Sequence, residues 1–228
     1  MNFPIFQLNK KVNTKEPFKG IFSIWGEIGV GKTTFALQTA IINALNGKNV
    51  IFIYSKPNFP FEKIKNFIQP SSKKILDKIL FIQVLDYDDL YTIIFNLEFD
   101  VLKNLKANNI YLIVVDSITD LYRLELNRGK KEKNFILNYK LNQILANLYI
   151  LNWNYKTEIL ITTEVSQTKI NGRTIQIQAG GKIMEYWINY SLKIERTEKL
   201  NHRRLILSRK EEKTSEEYYS IFSEKGFQ

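Results

Sequence analysis

The sequence contains no cysteine and a single histidine, His202. Without cysteine the chain can form neither disulfides nor thiolate metal sites, and cysteine catalysis is excluded. One histidine argues against a zinc site and against a Ser-His-Asp triad. We therefore expect a cytoplasmic protein whose functional site is built from oxygen and amine groups.

Long apolar runs are also missing, since no stretch approaches the ~20 apolar residues that a membrane-spanning helix needs. Residues 1–11 lack the apolar core of a signal peptide. The chain is otherwise 44% hydrophobic and 25% charged, which is ordinary for a soluble globular protein. We expect no membrane partner.

Basic residues outnumber acidic ones, with 33 Lys and Arg against 23 Asp and Glu and a formal net charge of +10. The resulting pI is about 9.5. This excess favours polyanionic partners, above all nucleic acid. A solvated basic surface would explain the charge equally well, so charge alone does not decide between the two.

Apolar strand-like segments alternate with helix-like ones, which predicts an α/β fold with a mostly parallel central sheet and helices on both faces. Strands are expected at residues 21–25, 50–54, 79–84, 110–115 and 159–162. Helices are expected at residues 33–45, from Asp86 or Asp88 to about 105, and at about 131–152.

The last quarter of the chain predicts antiparallel strands. Residues 168–178 alternate around Asn171-Gly172, a strong hairpin signal, and further strands are expected at 191–196, 204–208 and 218–222. Neither a repeat nor a low-complexity linker divides the chain. We therefore predict one core domain over residues 21–228, preceded by a short extension over residues 1–20.

The clearest motif is Gly26-Glu-Ile-Gly-Val-Gly-Lys-Thr33, which fits the phosphate-loop pattern G-x-x-x-x-G-K-[ST] without mismatch. Its glycines let backbone N–H groups point at phosphate oxygens. Lys32 should reach the β and γ phosphates of ATP, and the Thr33 hydroxyl should bind Mg²⁺. The predicted nucleotide-binding residues are Gly26, Glu27, Ile28, Gly29, Val30, Gly31, Lys32, Thr33 and Thr34.

A second motif is the apolar run at residues 111–115 that ends in Asp116. Ligands of open α/β sheets lie at the carboxyl ends of the strands. Asp116 would there hold Mg²⁺ opposite Thr33. Alone, Asp116 could simply cap a loop, but beside an intact phosphate loop we interpret it as a metal ligand.

Residues 114–123, Val-Val-Asp-Ser-Ile-Thr-Asp-Leu-Tyr-Arg, resemble the corresponding stretch of RecA-type recombinases, specifically archaeal RadA and its paralogue RadB. The Gly-Gly and Glu-Tyr-Trp segment at 180–187 looks more like RadB-type paralogues. The similarity covers roughly residues 18–226, including segments 124–129, 140–142, 161–165, 203–207 and 219–226. It implies a RecA-like P-loop ATPase core with ATP and Mg²⁺ as ligands.

The resemblance also implies two DNA-facing loops, at residues 123–133 and 166–179 of this chain. Flexible basic loops would contact the phosphate backbone of single-stranded DNA without reading its bases. Solvated surface loops are the simpler alternative. The candidate DNA-binding residues are Arg123, Arg128, Lys130, Lys131, Lys133, Lys169 and Arg173.

Two positions depart from the family. Lys56 stands where the family has the glutamate that activates the attacking water, and a charged lysine cannot accept a proton, so we expect slow ATP hydrolysis. Glu164 stands where the family usually has a glutamine that senses the nucleotide. Glu164 could be a substitute base or merely a polar strand end. The catalytic candidates are therefore Lys32, Asp116 and Glu164.

Only about 20 residues precede the core, so we expect no helical N-terminal DNA-binding domain like that of the main recombinase. Residues 1–20 contain no alanine and hence no Phe-x-x-Ala polymerisation peptide, so we do not expect a long self-filament. These features favour a recombinase paralogue that assists a main recombinase or another repair protein in homologous recombination and DNA repair.

The alternative is a KaiC-like regulatory ATP-binding module that acts on a protein partner. A small-molecule kinase fits less well, because neither an acceptor site nor a lid is visible in the sequence. Near the C-terminus, the chain carries arginines that could complete a neighbour's ATP site or form a solvated basic edge. These are Arg196, Arg203, Arg204 and Arg209.

Overall fold

The computed structural model describes residues 1–12, 19–68, 70–104, 110–128, 134–170, 172–212 and 214–228. The strands are β1 (Ile21–Gly26), β2 (Asn49–Tyr54), β3 (Ile79–Gln83), β4 (Ile110–Asp116), β5 (Glu158–Thr163), β6 (Val165–Ile170), β7 (Arg173–Gln178), β8 (Ile188–Arg196), β9 (His202–Arg209), β10 (Ser215–Ser223) and β11 (Gly226–Phe227). The α-helices are α1 (Phe6–Val12), α2 (Lys32–Leu45), α3 (Ile64–Phe67), α4 (Tyr87–Asn104), α5 (Asp120–Arg128), α6 (Asn134–Tyr155) and α7 (Gly181–Trp187), with 3₁₀ turns at Phe61–Lys63 and Pro70–Lys78.

Over the described residues, the main sheet has nine strands in the order β11-β10-β9-β8-β1-β5-β4-β2-β3, and β6 and β7 form a separate hairpin. Neighbours from β8 to β3 run parallel. The pairs β8–β9, β9–β10 and β10–β11 are antiparallel. This arrangement confirms the predicted mostly parallel sheet with antiparallel C-terminal strands.

Helices cover both faces of the sheet because its central strands are apolar on both sides. In β4, Leu112 and Val114 join one core cluster, while Ile113 and Val115 join the other. The first cluster lies under α2 and the second under α4 and α6. Successive strand residues point to opposite faces, so the continuous apolar run at residues 111–115 packs against the helices on both sides of the sheet.

Residues 1–12 pack onto the first core cluster, where Phe3, Leu8 and Val12 are buried. Phe3 lies with its ring centroid 4.7 Å from that of Phe22 in β1. The sequence did not predict α1, because only Leu8 and Val12 of this short helix are buried. The domain boundary at residue 20 stays a prediction, and residues 13–18 lie outside the described part of the chain.

The prediction of a flexible loop at residues 123–133 is wrong for residues 123–128, and residues 129–133 lie outside the described part of the chain. Residues 120–128 form α5, which begins with Asp120, ends with Arg128 and buries Leu121 and Tyr122. An acidic first turn and a basic last turn suit the helix dipole. The buried residues Leu121 and Tyr122, at the start of α5, therefore stabilise a helix despite the basic composition of the residues that follow.

The second predicted loop, residues 166–179, is mainly the β6–β7 hairpin, which runs antiparallel from the pair Val165–Gln178 to the pair Ile170–Arg173. In the predicted turn, Gly172 has a φ of 77°, while Asn171 lies outside the described residues. The short helix α7, which follows the hairpin, was not predicted. None of the helices in the described ranges is long and apolar enough to cross a membrane.

Candidate nucleotide-binding site

The phosphate loop connects the carboxyl end of β1 to the start of α2. Gly31 precedes α2 with a φ of 110°, in the left-handed region that favours glycine. A Cβ at this position would also approach the rings of Phe222 and Phe227 to 2.9 Å. Glycine is therefore required at position 31 both by backbone conformation and by close packing against the C-terminal strands.

The loop forms one wall of a cleft of about 360 Å³. Among the residues that line the cleft, those that the sequence analysis had singled out are Ile28, Gly29, Gly31, Lys32, Thr33, Thr34, Lys56 and Glu164. Three further lining residues were not predicted: Lys63, Asp120 and Phe222. Gly26, Glu27 and Val30 do not line this cleft but form the backbone around it. The assigned roles of these residues in nucleotide binding stay predictions.

Lys32 is buried in this cleft, with only 6% of its surface exposed. Its Nζ donates to the carbonyl oxygens of Gly26 at 2.8 Å and Glu27 at 2.9 Å, and to Glu164 Oε2 at 3.1 Å. Burial lowers the pKa of Lys32, and the attraction of Glu164 opposes that effect. The ammonium group is thus held by three oxygen atoms and is largely shielded from solvent, and a phosphate oxygen could replace one of them.

Asp116 ends β4 and is 1% exposed. Its Oδ1 accepts a hydrogen bond of 2.5 Å from Thr162 Oγ1, whereas its Oδ2 has no hydrogen-bond partner among the described residues. A buried carboxylate oxygen without a partner is costly unless a cation or water satisfies it. Asp116 and the Thr33 hydroxyl offer the hard oxygen ligands that Mg²⁺ prefers, so these residues fit the metal.

Two further lysines border the same cleft. Lys56, which follows β2, places its Nζ 3.5 Å from Thr33 Oγ1. Lys63, in the 3₁₀ turn, places its Nζ 3.5 Å from Thr34 Oγ1. Neither lysine belongs to a phosphate-loop motif, and Lys63 gave no signal in the sequence because it lies 29 residues from its contact.

Asp120 faces these lysines from the start of α5. Burial raises the pKa of Asp120, as does the nearby carboxylate of Glu164, while Lys56 and Lys32 lower it. The cleft therefore brings three lysines against the carboxylates of Asp120, at the start of α5, and Glu164, which follows β5. Asp116, the predicted metal ligand, is buried and is not among the residues that line this cleft. With three lysines against two carboxylates, the cleft keeps an excess of positive charge for an anionic ligand.

Two of the C-terminal arginines hold the outer side of the phosphate loop. Arg196 Nη2 donates to the Ile28 carbonyl at 3.0 Å, and Arg203 Nε donates to the Val30 carbonyl at 3.1 Å. The Arg203 guanidinium also lies over the Phe222 ring at 4.8 Å. Both arginines thus contact this chain's own loop, a role that the sequence did not reveal.

The other two arginines make ion pairs on the surface. Arg204 pairs with Glu217 and Glu195, and Arg209 pairs with Glu212 at 2.7 Å. Arg204 and Arg209 therefore pair with carboxylates of this chain, on a strand that lies between β8 and β10.

The β6–β7 hairpin contacts the phosphate loop, Glu164 and α5. Gln176 Nε2 donates to Glu27 Oε1 of the phosphate loop at 2.9 Å. At the base of the hairpin, the Glu164 carbonyl accepts a 2.9 Å hydrogen bond from Ala179 N. Arg123 of α5 donates to the Val165 carbonyl at 3.1 Å.

The candidate DNA-binding residues divide into three groups. Arg123 and Arg128 lie on α5, and Lys169 is exposed on β6. Arg173 begins β7. Lys130, Lys131 and Lys133 lie outside the described residues. The structure brings Arg123 and the hairpin together, while the DNA-binding role of every one of these residues stays a prediction.

Comparison with known proteins adds a family to this geometry. Residues 12–225 match the sequence model of the Rad51 family. The chain is 36% identical over 200 residues to a DNA repair and recombination protein RadB of Methanocaldococcus jannaschii, covering 87% of this chain and 88% of the relative. It is 32% identical over 193 residues to a protein of the same name from Methanococcus maripaludis strain C5, covering 85% and 84%.

Proposed function

This chain belongs to the Rad51 family, and from that premise we propose that it is an ATP-binding recombinase paralogue of the RadB type. It binds ATP with Mg²⁺, hydrolyses it slowly, binds single-stranded DNA and assists a main recombinase in homologous recombination and DNA repair. The names of its relatives support the repair role. The observation that carries the proposal is Glu164, which contacts both the phosphate-loop lysine and the base of the hairpin.

ATP binding rests on the phosphate loop and on Lys32. The N–H groups of the loop and the positive end of α2 would receive the phosphates. Lys32 would exchange Glu164 for oxygens of the β and γ phosphates. A Mg²⁺ ion held by Thr33 and Asp116 would neutralise charge between those phosphates.

Glu164 provides a route from the nucleotide to the hairpin. In the described structure its carboxylate is paired with Lys32, while its backbone N–H donates to Thr119 Oγ1 at 3.1 Å. A γ phosphate that draws Lys32 away would leave this carboxylate beside a second anion, and the two would repel each other. Because the Glu164 carbonyl also closes the base of the hairpin, its displacement would shift the segment that carries Lys169.

The proposed slow hydrolysis rests on the side chains that line the cleft. Lys56 cannot accept a proton while it is charged, and Glu164 is engaged by Lys32. We therefore assign Glu164 to sensing the nucleotide rather than to activating water. The cleft is organised for binding more than for turnover.

The proposal is tested by measuring the affinity of the purified protein for labelled single-stranded DNA by fluorescence anisotropy, with and without ATP. Affinity should fall by ~10³-fold or more between 50 and 200 mM salt if six or more phosphate contacts form. ATP should change the affinity in the wild-type protein, and Glu164→Gln should reduce that change because it removes the repelled charge.

Absence of DNA affinity at low salt would overturn the DNA part of the proposal. It would favour the KaiC-like alternative, in which ATP binding regulates contact with a protein. DNA binding that ATP leaves unchanged in both proteins would overturn the coupling through Glu164 alone.

A further inference from the structure

The position of Lys56 bears on how the cleft uses its divalent cation. We propose that the Lys56 ammonium group supplies part of the positive charge for which phosphate-loop proteins depend on Mg²⁺, so that this chain retains most of its ATP affinity without a divalent cation. This inference rests on the proposed function of the cleft as an ATP site.

The first observation is the distance from Lys56 Nζ to Thr33 Oγ1, which is 3.5 Å. In phosphate-loop proteins the hydroxyl at this position holds Mg²⁺ beside the β and γ phosphates, so Thr33 would hold it here. An ammonium group at hydrogen-bonding distance from that oxygen is therefore close enough to contact the same phosphates. A fixed cation there both attracts the phosphates and repels a second cation.

The second observation is the number of cations that the cleft offers. Lys32, Lys56 and Lys63 all line it. Lys32 has its own carboxylate partner in Glu164, and Asp120 attracts Lys56 from across the cleft. The triphosphate of ATP carries several negative charges, and three lysines together with the loop N–H groups can neutralise most of them.

The third observation limits the inference. Asp116 Oδ2 is buried and lacks a hydrogen-bond partner among the described residues. The oxygen ligands for Mg²⁺ are therefore retained beside Lys56. We infer a weakened dependence on the metal, and the chain still binds it when it is abundant.

Lys63 provides a matched control within the same cleft. It also lies 3.5 Å from a threonine hydroxyl, but that hydroxyl belongs to Thr34. Lys63 can therefore attract phosphate oxygens without occupying the neighbourhood of the metal ligand. Its removal should weaken ATP binding to the same extent whether or not Mg²⁺ is present.

The test is to measure ATP affinity by calorimetry in excess Mg²⁺ and in excess EDTA, for the wild-type protein, Lys56→Met and Lys63→Met. Wild-type affinity should change by less than about threefold between the two conditions. Lys56→Met should lose about tenfold or more in EDTA, the effect of removing one charged hydrogen bond, and recover with Mg²⁺. Lys63→Met should show equal losses in both conditions.

A wild-type protein that binds ATP only in Mg²⁺ would overturn this inference and leave the proposed ATP site standing. An equal loss for Lys56→Met in both conditions would also overturn it, since Lys56 would then be a general phosphate contact. No ATP binding in either condition would overturn the proposed function itself. The wild-type comparison decides the inference even if Lys56→Met fails to fold.

Discussion

The nucleotide cleft and the candidate DNA-facing surface differ in how their charged groups are held. Lys32 in the cleft and Asp116 at the end of β4 are buried and make hydrogen bonds to neighbouring elements. On the other surface, Arg128 and Lys169 are exposed. The chemistry of a buried charge can be argued from its partners, whereas the role of an exposed charge has to be measured through the ligand that it attracts.

The largest effect should come from removing the central cation of the cleft. We expect Lys32→Ala to lower ATP affinity by about 100-fold or more, because several charge-assisted hydrogen bonds to phosphate are lost together. Calorimetric titration with ATP measures this, after circular dichroism has confirmed that the variant is folded. ATP binding near the wild-type level would contradict the cleft assignment.

A smaller effect is expected from the arginine that supports the loop from outside. Arg203→Met should lower ATP affinity by about tenfold, because it removes a charged hydrogen bond to the Val30 carbonyl. Arg204→Met is the matched control, since Arg204 is its neighbour in β9 but pairs with Glu217. Equal affinities for the two variants would show that Arg203 does not position the loop.

Lys169 tests the role of the exposed charges on the candidate DNA-facing surface. Lys169→Ala should weaken binding of single-stranded DNA and reduce the slope of log affinity against log salt by about 1, because one phosphate contact is lost. Lys48 provides a control as Lys48→Ala, since it is exposed and precedes the amino end of β2, whereas the hairpin follows the carboxyl end of β5. If both variants show the wild-type slope, Lys169 is a solvated surface residue.

The smallest effect concerns stability. Burial, followed by the charge of Glu164, raises the pKa of Asp120 above its ordinary value of 3.8. The folded state then binds more protons than the unfolded state between these two pKa values, so the contribution of Asp120 to the free energy of unfolding falls as pH rises through that window. Asp120→Asn removes this cost at neutral pH.

We therefore expect Asp120→Asn to increase the free energy of unfolding at pH 7 by less than about 1 kcal/mol, the usual range for a partly exposed charge. The gain should disappear near pH 3, where the carboxyl is protonated in both states. Urea denaturation at the two pH values measures the difference. Destabilisation at pH 7 would mean that attraction to Lys56 outweighs the cost of burial.

The cleft and the candidate DNA-facing surface also differ in how well their residues were predicted from the sequence. The phosphate loop and Asp116 were found because each is a continuous motif at the end of an apolar strand. Lys63, Asp120 and Phe222 were missed as cleft residues because separate segments bring them there. Only tertiary packing places such side chains side by side.

For the basic segment at 123–133, the sequence predicted a loop where the structure has a helix up to Arg128. That prediction rested on the charges of the segment and on the family resemblance. The buried side chains of Leu121 and Tyr122 anchor that helix before the charged residues begin. The hairpin was predicted more accurately because Asn171-Gly172 and the alternation around it are local signals.

The central claim is that the cleft binds ATP but hydrolyses it slowly because Lys56 occupies the place of a general base. The direct test is ATP turnover by the wild-type protein, Lys56→Glu and Lys32→Ala, with and without single-stranded DNA, using Lys63→Glu as a control for the same charge change in the same cleft. The account predicts slow wild-type turnover that rises at least about tenfold in Lys56→Glu alone and disappears in Lys32→Ala. Fast wild-type turnover that DNA leaves unaffected would contradict it.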